Sequence, residues 1–170
     1  MAQQIDPQQL EQLMNDYATA LELFAAQWSL VPEDCVQEAF LELVRQRRQP
    51  RNTLAWLYRV VRNRAISWRR SYERRRRRES VVAAERRTWF TSSRRSTSEL
   101  EEVTAALRDI DDQLREVVIA RIWGGLSFEQ IAAVVSTSTS TAHRRYEAGL
   151  EQLRERLGIR WNKNLKSVSP

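Results

Sequence analysis

Apolar residues recur at three- and four-residue steps through most of this chain, the period of a helix that buries one face. Leu10, Leu13, Tyr17, Leu21 and Phe24 make the first such stripe. Pro32 stands where it can open a second helix, because its fixed φ suits a first turn and its missing N–H is not needed there. Glu33 and Asp34 follow it, beside the positive end of the helix dipole. The pattern carries this helix to about Arg47, and Gln49-Pro50-Arg51-Asn52 breaks it. Thr53 is placed to cap a third helix whose stripe is Leu54, Leu57, Val61, Ala65 and Trp68. The other side of that helix carries Arg59, Arg62, Asn63, Arg69 and Arg70. Trp68 lies on the stripe and is expected in the core. Trp56 and Tyr58 lie off it, and the pattern leaves their exposure open.

Residues 80–98 lose the periodicity and are rich in Ser, Thr and Arg, which reads as a flexible linker. Trp89-Phe90 inside it is a candidate docking element. Helices resume near Glu99. From Leu114, the run Val117, Val118, Ile119 and Ile122 predicts an apolar helix that stops at Gly124-Gly125. Ser127-Phe128-Glu129-Gln130 fits a capping box and opens a short helix over Phe128–Val135. Ser136-Thr137-Ser138 makes a polar turn. A last long helix turns Ala142, Tyr146, Leu150, Leu153 and Leu157 inward. This is a helix–turn–helix layout. Near the start of its second helix, Ser140, Thr141, His143, Arg144 and Arg145 face outward. Hydroxyls and a helix N-terminus suit phosphates, and arginine suits guanine edges. A helical hairpin packed into a core is the competing reading. The hydroxyls of Ser136–Thr141 read as turn and cap rather than as phosphorylation sites.

A chain of 170 residues has room for one domain or two small ones. Only four glycines and four prolines leave few turns for an all-β fold. No apolar run is long enough to span a membrane, and no basic-then-apolar leader is present, so a cytoplasmic protein is expected. Cys35 stands alone, which excludes an internal disulfide, and reads as a small core residue. One cysteine and one histidine, His143, cannot assemble the usual zinc ligands. No Ser/His/Asp arrangement and no glycine-rich phosphate loop is recognisable. The expectation is a non-enzymatic protein with no cofactor. Charge is segregated along the chain: residues 1–44 sum to −8, residues 45–95 to +15 and residues 96–170 to −1. The basic middle third suggests a polyanionic partner. For Arg74–Arg78 alone, a solvated linker is the less favoured, competing reading. Trp56, Tyr58, Trp68 and Tyr72 lie among these arginines, and aromatic rings stack on unpaired bases while arginines track the backbone.

Three segments, in order, resemble the sigma-70 family. Asp34-Cys35-Val36-Gln37-Glu38-Ala39-Phe40 resembles its D-x-V-Q-E-x-F signature of region 2.2. Ala55-Trp56-Leu57-Tyr58-Arg59-Val60-Val61-Arg62-Asn63 is similar to the A-W-L-Y-R-I-A-x-N segment of regions 2.3 to 2.4. Gly125-Leu126-Ser127-Phe128-Glu129-Gln130-Ile131-Ala132 resembles G-L-S-Y-E-E-I-A of region 4. No counterpart of region 1.1 or region 3 is recognised, and the minimal form is similar to the extracytoplasmic-function (ECF) sigma factors. The resemblance implies an all-α protein of two small helical domains: residues 1–79 as region 2, 80–98 as a basic linker, 99–162 as region 4 and 163–170 as a tail.

It also implies roles. Asp34, Gln37 and Glu38 would dock the clamp helices of the β′ subunit of core RNA polymerase, an acidic surface against a basic one. Trp56 and Asn63 would sit at the minus-ten element, where a base leaves the stack. Arg59, Arg62, Arg64, Arg69 and Arg70 would hold the promoter backbone there. Ser140, Thr141, His143, Arg144 and Arg145 would face the minus-thirty-five element in the major groove, and the same domain would touch the β-flap. An inhibitory anti-sigma factor is a further implied partner. Leu57 stands where many members carry a second aromatic, which implies weaker melting. Ile110-Asp111 replaces the usual Leu-Pro, and Ser140-Thr141-Ala142-His143 replaces G-T-V-R or S-T-V-K, so no promoter sequence carries over. A stand-alone helix–turn–helix regulator is the alternative. A nucleic-acid-processing enzyme is a third reading, and no catalytic cluster supports it.

Overall fold

A computed structural model describes residues 5–79 and 98–158, with side chains from 102 in the second stretch. The linker reading over 80–97, with Trp89-Phe90, and the tail lie outside the described residues. Within them the chain forms seven helices and no strand: α1 (Pro7–Ala25), α2 (Pro32–Arg45), α3 (Thr53–Glu79), α4 (Ser98–Asp109), α5 (Asp112–Ile122), α6 (Phe128–Val135) and α7 (Thr139–Arg156).

In the first half α1, α2 and α3 pack pairwise into a three-helix bundle. Asp6 caps α1, accepting from the Gln9 N–H at 3.4 Å, and Pro7 opens it. Leu21 and Phe24 at the end of its stripe are fully buried. Pro32 opens α2 as expected, with Glu33 and Asp34 in the first turn. The helix ends at Arg45, two residues short of the expected Arg47. Thr53 is the first residue of α3 rather than its cap. The side chain of Asn52 accepts the Ala55 N–H at 2.9 Å and does the capping. The helix runs 27 residues and takes in the whole of Arg74–Arg78, so this run is an exposed helical surface and not linker.

In the second half α5, α6 and α7 wrap one another, and α4 rests on α7. Helix α4 begins at Ser98, which was expected to be linker. Arg115 ties α4 down: it is buried, and its guanidinium donates to the carbonyls of Leu107, Arg108 and Ile110 at 2.6, 3.0 and 2.7 Å. These are the carbonyls a helix end leaves without partners. Gly149 lets α7 approach α5, since a Cβ there would lie 2.6 Å from Val118 Cγ2.

The two halves share one continuous apolar core. Helix α1 packs on α5, and α3 packs on α6. Tyr58, whose exposure the sequence left open, is fully buried between the halves. Its ring meets Phe24 edge-on at 4.9 Å. Its hydroxyl faces Gly124, where a Cβ would come within 2.6 Å of it. Burial pushes the Tyr58 phenol far above its ordinary range. Trp68, expected in the core, is only half-buried and stacks on Tyr72 at 5.0 Å. Cys35 is buried as expected, and burial raises its thiol pKa, which keeps it protonated.

Candidate nucleic-acid interface

The helix–turn–helix is α6 and α7. Both halves of the capping box at Ser127 form: Gln130 N–H donates to Ser127 Oγ at 3.3 Å, and Ser127 N–H to Gln130 Oε1 at 2.7 Å. Ser136 closes α6 in the left-handed region at φ 56°, and Thr137 N–H returns to the Ala132 carbonyl at 2.9 Å. Ser138 then caps α7, accepting from Thr141 N–H at 3.1 Å. The residues expected to read DNA gather at the start of α7. Ser140, His143 and Arg144 are exposed, and Thr141 and Arg145 are half-buried. Arg144 donates to Thr141 Oγ1 at 3.3 Å, which aims the guanidinium along the first turn. His143 packs on Phe128 at 4.8 Å and lies 3.6 Å from Glu147 on the next turn. Phe128 in turn carries Arg121 over its face at 4.8 Å. These contacts fix the angle at which α7 leaves the turn.

On the outer face of α2, Asp34, Gln37 and Glu38 are all exposed, with Gln37 and Glu38 one turn on from Asp34. Leu41 and Val44 continue the same face, 47% and 43% exposed, an apolar extension that motif reading did not include. Charge patterning alone misses it; the helical period places Leu41 and Val44 beside Gln37. Arg64 faces this helix rather than open solvent. It donates to both Glu38 and Glu42, which hold its guanidinium pKa above even its ordinary value.

The residues expected at the minus-ten element divide into two sets. Arg59, Asn63 and Arg70 are exposed on α3. Trp56, Arg62 and Arg69 turn toward the second half. Trp56 lines a crevice of about 210 Å³ whose opposite wall is Ala133 and Val134 of α6. Arg62 lies over the Trp28 ring at 5.7 Å and pairs with Glu116 of α5, Nε to Oε2 at 2.7 Å and Nη2 to Oε1 at 3.4 Å. The Glu116 side chain is only 4% exposed, and burial raises its pKa despite the pairing with Arg62 and the nearby Arg145. Arg69 reaches Asp112 of α5 at 3.6 Å. Neither Glu116 nor Asp112 was singled out from sequence. A signal was present: Arg115-Glu116 opens the run Val117-Val118-Ile119, and a charge inside an apolar helix face needs a partner.

No group of histidine, cysteine and carboxylate side chains that could hold a metal ion occurs among the described residues, and none of their helices is long and apolar enough to cross a membrane.

Two family models match the chain. Sigma-70 region 2 matches residues 17–76, and sigma-70 region 4 matches residues 106–155. Together the matches span more than half of the sequence and take in α2, α5, α6 and nearly all of α3 and α7. Among solved structures the chain is similar to the sigma factor RpoE of Bartonella quintana, solved with the anti-sigma factor NepR. That likeness has a TM-score of 0.72 and 23% identity, covering 89% of this chain and 98% of the other. It is also similar to CnrH, solved with the cytosolic domain of CnrY, with a TM-score of 0.59 and 21% identity over 90% of each chain. Comparison with curated protein sequences gives no match. Both halves of the chain, in the order found, are therefore those of one family. The chain belongs to the sigma-70 family: it is a sigma factor, which directs RNA polymerase to promoters, on the two-domain fold of the ECF type.

Proposed function

We propose that the two halves divide the work of initiation, region 2 (residues 1–79) docking core polymerase and opening the minus-ten element, region 4 (99–162) reading the minus-thirty-five element. The observation that carries this reading is the ordered pair of family matches with a fully formed helix–turn–helix in the second. A stand-alone helix–turn–helix regulator would account for residues 106–155 and leave the match at 17–76 unexplained.

The exposed acids and amide of α2, with Leu41 and Val44 beside them, form a mixed face suited to the β′ clamp helices: an apolar centre gives affinity and charge gives register. Ser140 and Thr141 in the first turn of α7 offer hydroxyls at a helix N-terminus to phosphate, and exposed Arg144 offers a fork to a guanine edge. Trp56 supplies a stacking face, and Arg59, Arg62, Asn63, Arg69 and Arg70 supply contacts to backbone and to an extruded base. Arg64, already held by Glu38 and Glu42, positions α2 against α3 more than it contacts DNA. The sigma-70 family is not a family of enzymes, and this function places the protein with the polymerase in the cytoplasm. Its relatives' complexes support an anti-sigma factor as a further partner of this chain.

Reconstituted transcription separates the roles. Gln37→Ala is expected to weaken co-elution with core polymerase and leave upstream-element binding intact. Arg144→Ala is expected to do the reverse, with a cost of about 1–3 kcal/mol in recognition. The same defect from both substitutions would overturn the division.

A further inference from the structure

We infer that His143 sets the base read at one position of the minus-thirty-five element and reads a different base in each of its two charge states, with Glu147 and Phe128 positioning its ring. The inference rests on the assignment of the start of α7 to that element made above. His143 is the chain's one histidine. Its side chain is 51% exposed on the reading helix, next to exposed Arg144. Two contacts hold the ring. Phe128 of α6 meets it at a steep angle, 68° between the planes with centroids 4.8 Å apart. Phe128 is itself held by Arg121 over its face at 4.8 Å and by Tyr146 at 5.5 Å, and Arg121 donates to the Leu126 carbonyl at 2.7 Å. One turn on along α7, Glu147 Oε2 lies 3.6 Å from His143 Nδ1.

That separation is too long for a firm hydrogen bond, but it puts a carboxylate oxygen beside Nδ1 and not Nε2. The two N–H directions of an imidazole diverge widely, so Nε2 is turned away from Glu147 and is the nitrogen left for DNA. The carboxylate draws the proton of the neutral ring to Nδ1, which makes Nε2 a bare acceptor. In the major groove an acceptor meets the amino groups of adenine or cytosine. Protonation turns Nε2 into a donor, which meets the O6 and N7 acceptors of guanine. Charges of both signs surround the ring. Glu147 on α7 and Glu129 beside Phe128 on α6 favour the cation, and Arg144 and Arg145 on α7 and Arg121 of α5 oppose it. Histidine is the side chain whose charge changes between about pH 5 and 8, so one helix offers two reading surfaces across that range. A ring held by Phe128 and Glu147 is kept from swinging out after a phosphate, and a fixed ring discriminates between base edges.

The test is a selection from a library of duplexes with about 20 randomised base pairs, bound by the full chain in complex with core RNA polymerase at about pH 6 and about pH 8. Sequencing the bound duplexes gives the base preference at every position, which the general gain of a cationic protein in affinity at low pH does not change. One position should carry adenine or cytosine at the higher pH and guanine at the lower, each favoured about fivefold. His143→Gln should show one preference at both pH values, and His143→Lys should show guanine at both. Glu147→Gln should lower the pH at which the two bases are equally preferred by about half a unit, a shift that a purely structural residue does not give. Phe128→Leu should flatten the preference, and Phe128→Tyr should keep it. An unchanged base at both pH values, a switch that survives in His143→Gln, or a uniform rise in affinity at low pH with no change of base overturns the inference. Where Arg144→Ala still alters the consensus in any of these, the assignment of α7 to the upstream element stands and only the role of His143 falls. If no consensus emerges, that assignment falls with it.

Discussion

Replacing Arg115 by Met is expected to cost the second half about 3 kcal/mol of stability, more than a typical substitution. Arg115 is 7% exposed and serves three carbonyls at the end of α4, those of Leu107, Arg108 and Ile110, with Asp112 at 3.1 Å on its remaining arm. A hydrogen bond from a charged donor contributes about 1.5–3 kcal/mol net, so three of them set an upper bound of several kcal/mol. Removing the guanidinium also relieves its own desolvation, which offsets part of that loss. Met keeps the volume of the stem, so the cavity contribution stays small. What remains is the cost of leaving these carbonyls without partners. Urea unfolding followed by far-UV circular dichroism reads it directly. With a slope of about 2 kcal/mol per M for a chain of this size, the midpoint should fall by about 1.5 M. Hydrogen exchange should show the amides of α4 losing protection first, because the helix loses its anchor. Lys in place of Arg should recover less than half of the loss, since a compact ammonium cannot fork across three acceptors. A midpoint within 0.5 M of wild type, about 1 kcal/mol on the same slope, would refute the reasoning. It would mean that these carbonyls find other partners as readily as Arg115.

Ser127→Ala should remove the half of the capping box in which Ser127 Oγ accepts from Gln130 N–H and cost about 1 kcal/mol, read as a lower melting temperature. An unchanged transition would show that packing alone starts α6. The raised pKa of Glu116 gives a signed pH dependence. The folded form binds the proton more tightly than the unfolded chain, so this group's stabilisation is complete below the ordinary carboxylate range and is lost as pH rises through its raised value. Urea midpoints of Glu116→Gln should therefore improve relative to wild type across that window, and parallel profiles would sink the assignment.

The helices were legible in the sequence because each buries a stripe against its neighbours in the same half. The stripes of α1 and α2, the capping box at Ser127 and the turn at Ser136–Ser138 all depend on residues within a few positions of one another. The third helix was legible only near its start. At 1.5 Å per residue, α3 is about 40 Å long, against about 21 Å for α2. Its far end outruns the helices that could cover it. Trp68 keeps the period of a core residue but sits near that overhang, half-buried, with Tyr72 as its stacking partner. The cap at Asn52 was missed for a narrower reason: Asn52 and Thr53 are both good caps, and only backbone geometry chooses between them.

Tyr58 and Arg62 show the other limit. Periodicity reports burial against sequence neighbours, and these two are covered by a half of the chain that begins about forty residues later. On α3 alone, Tyr58 and Arg62 lie one turn apart, off the stripe, and read as a surface that meets solvent or DNA. The partner that draws Arg62 inward, Glu116, lies 54 positions further along the chain. A guanidinium turned inward is kept where acceptors meet it, as the carbonyls at the end of α4 meet Arg115 and the Glu116 carboxylate meets Arg62. Arg62 has the chemistry of an anion binder and the environment of an interface, and the period of α3 shows only the first of these.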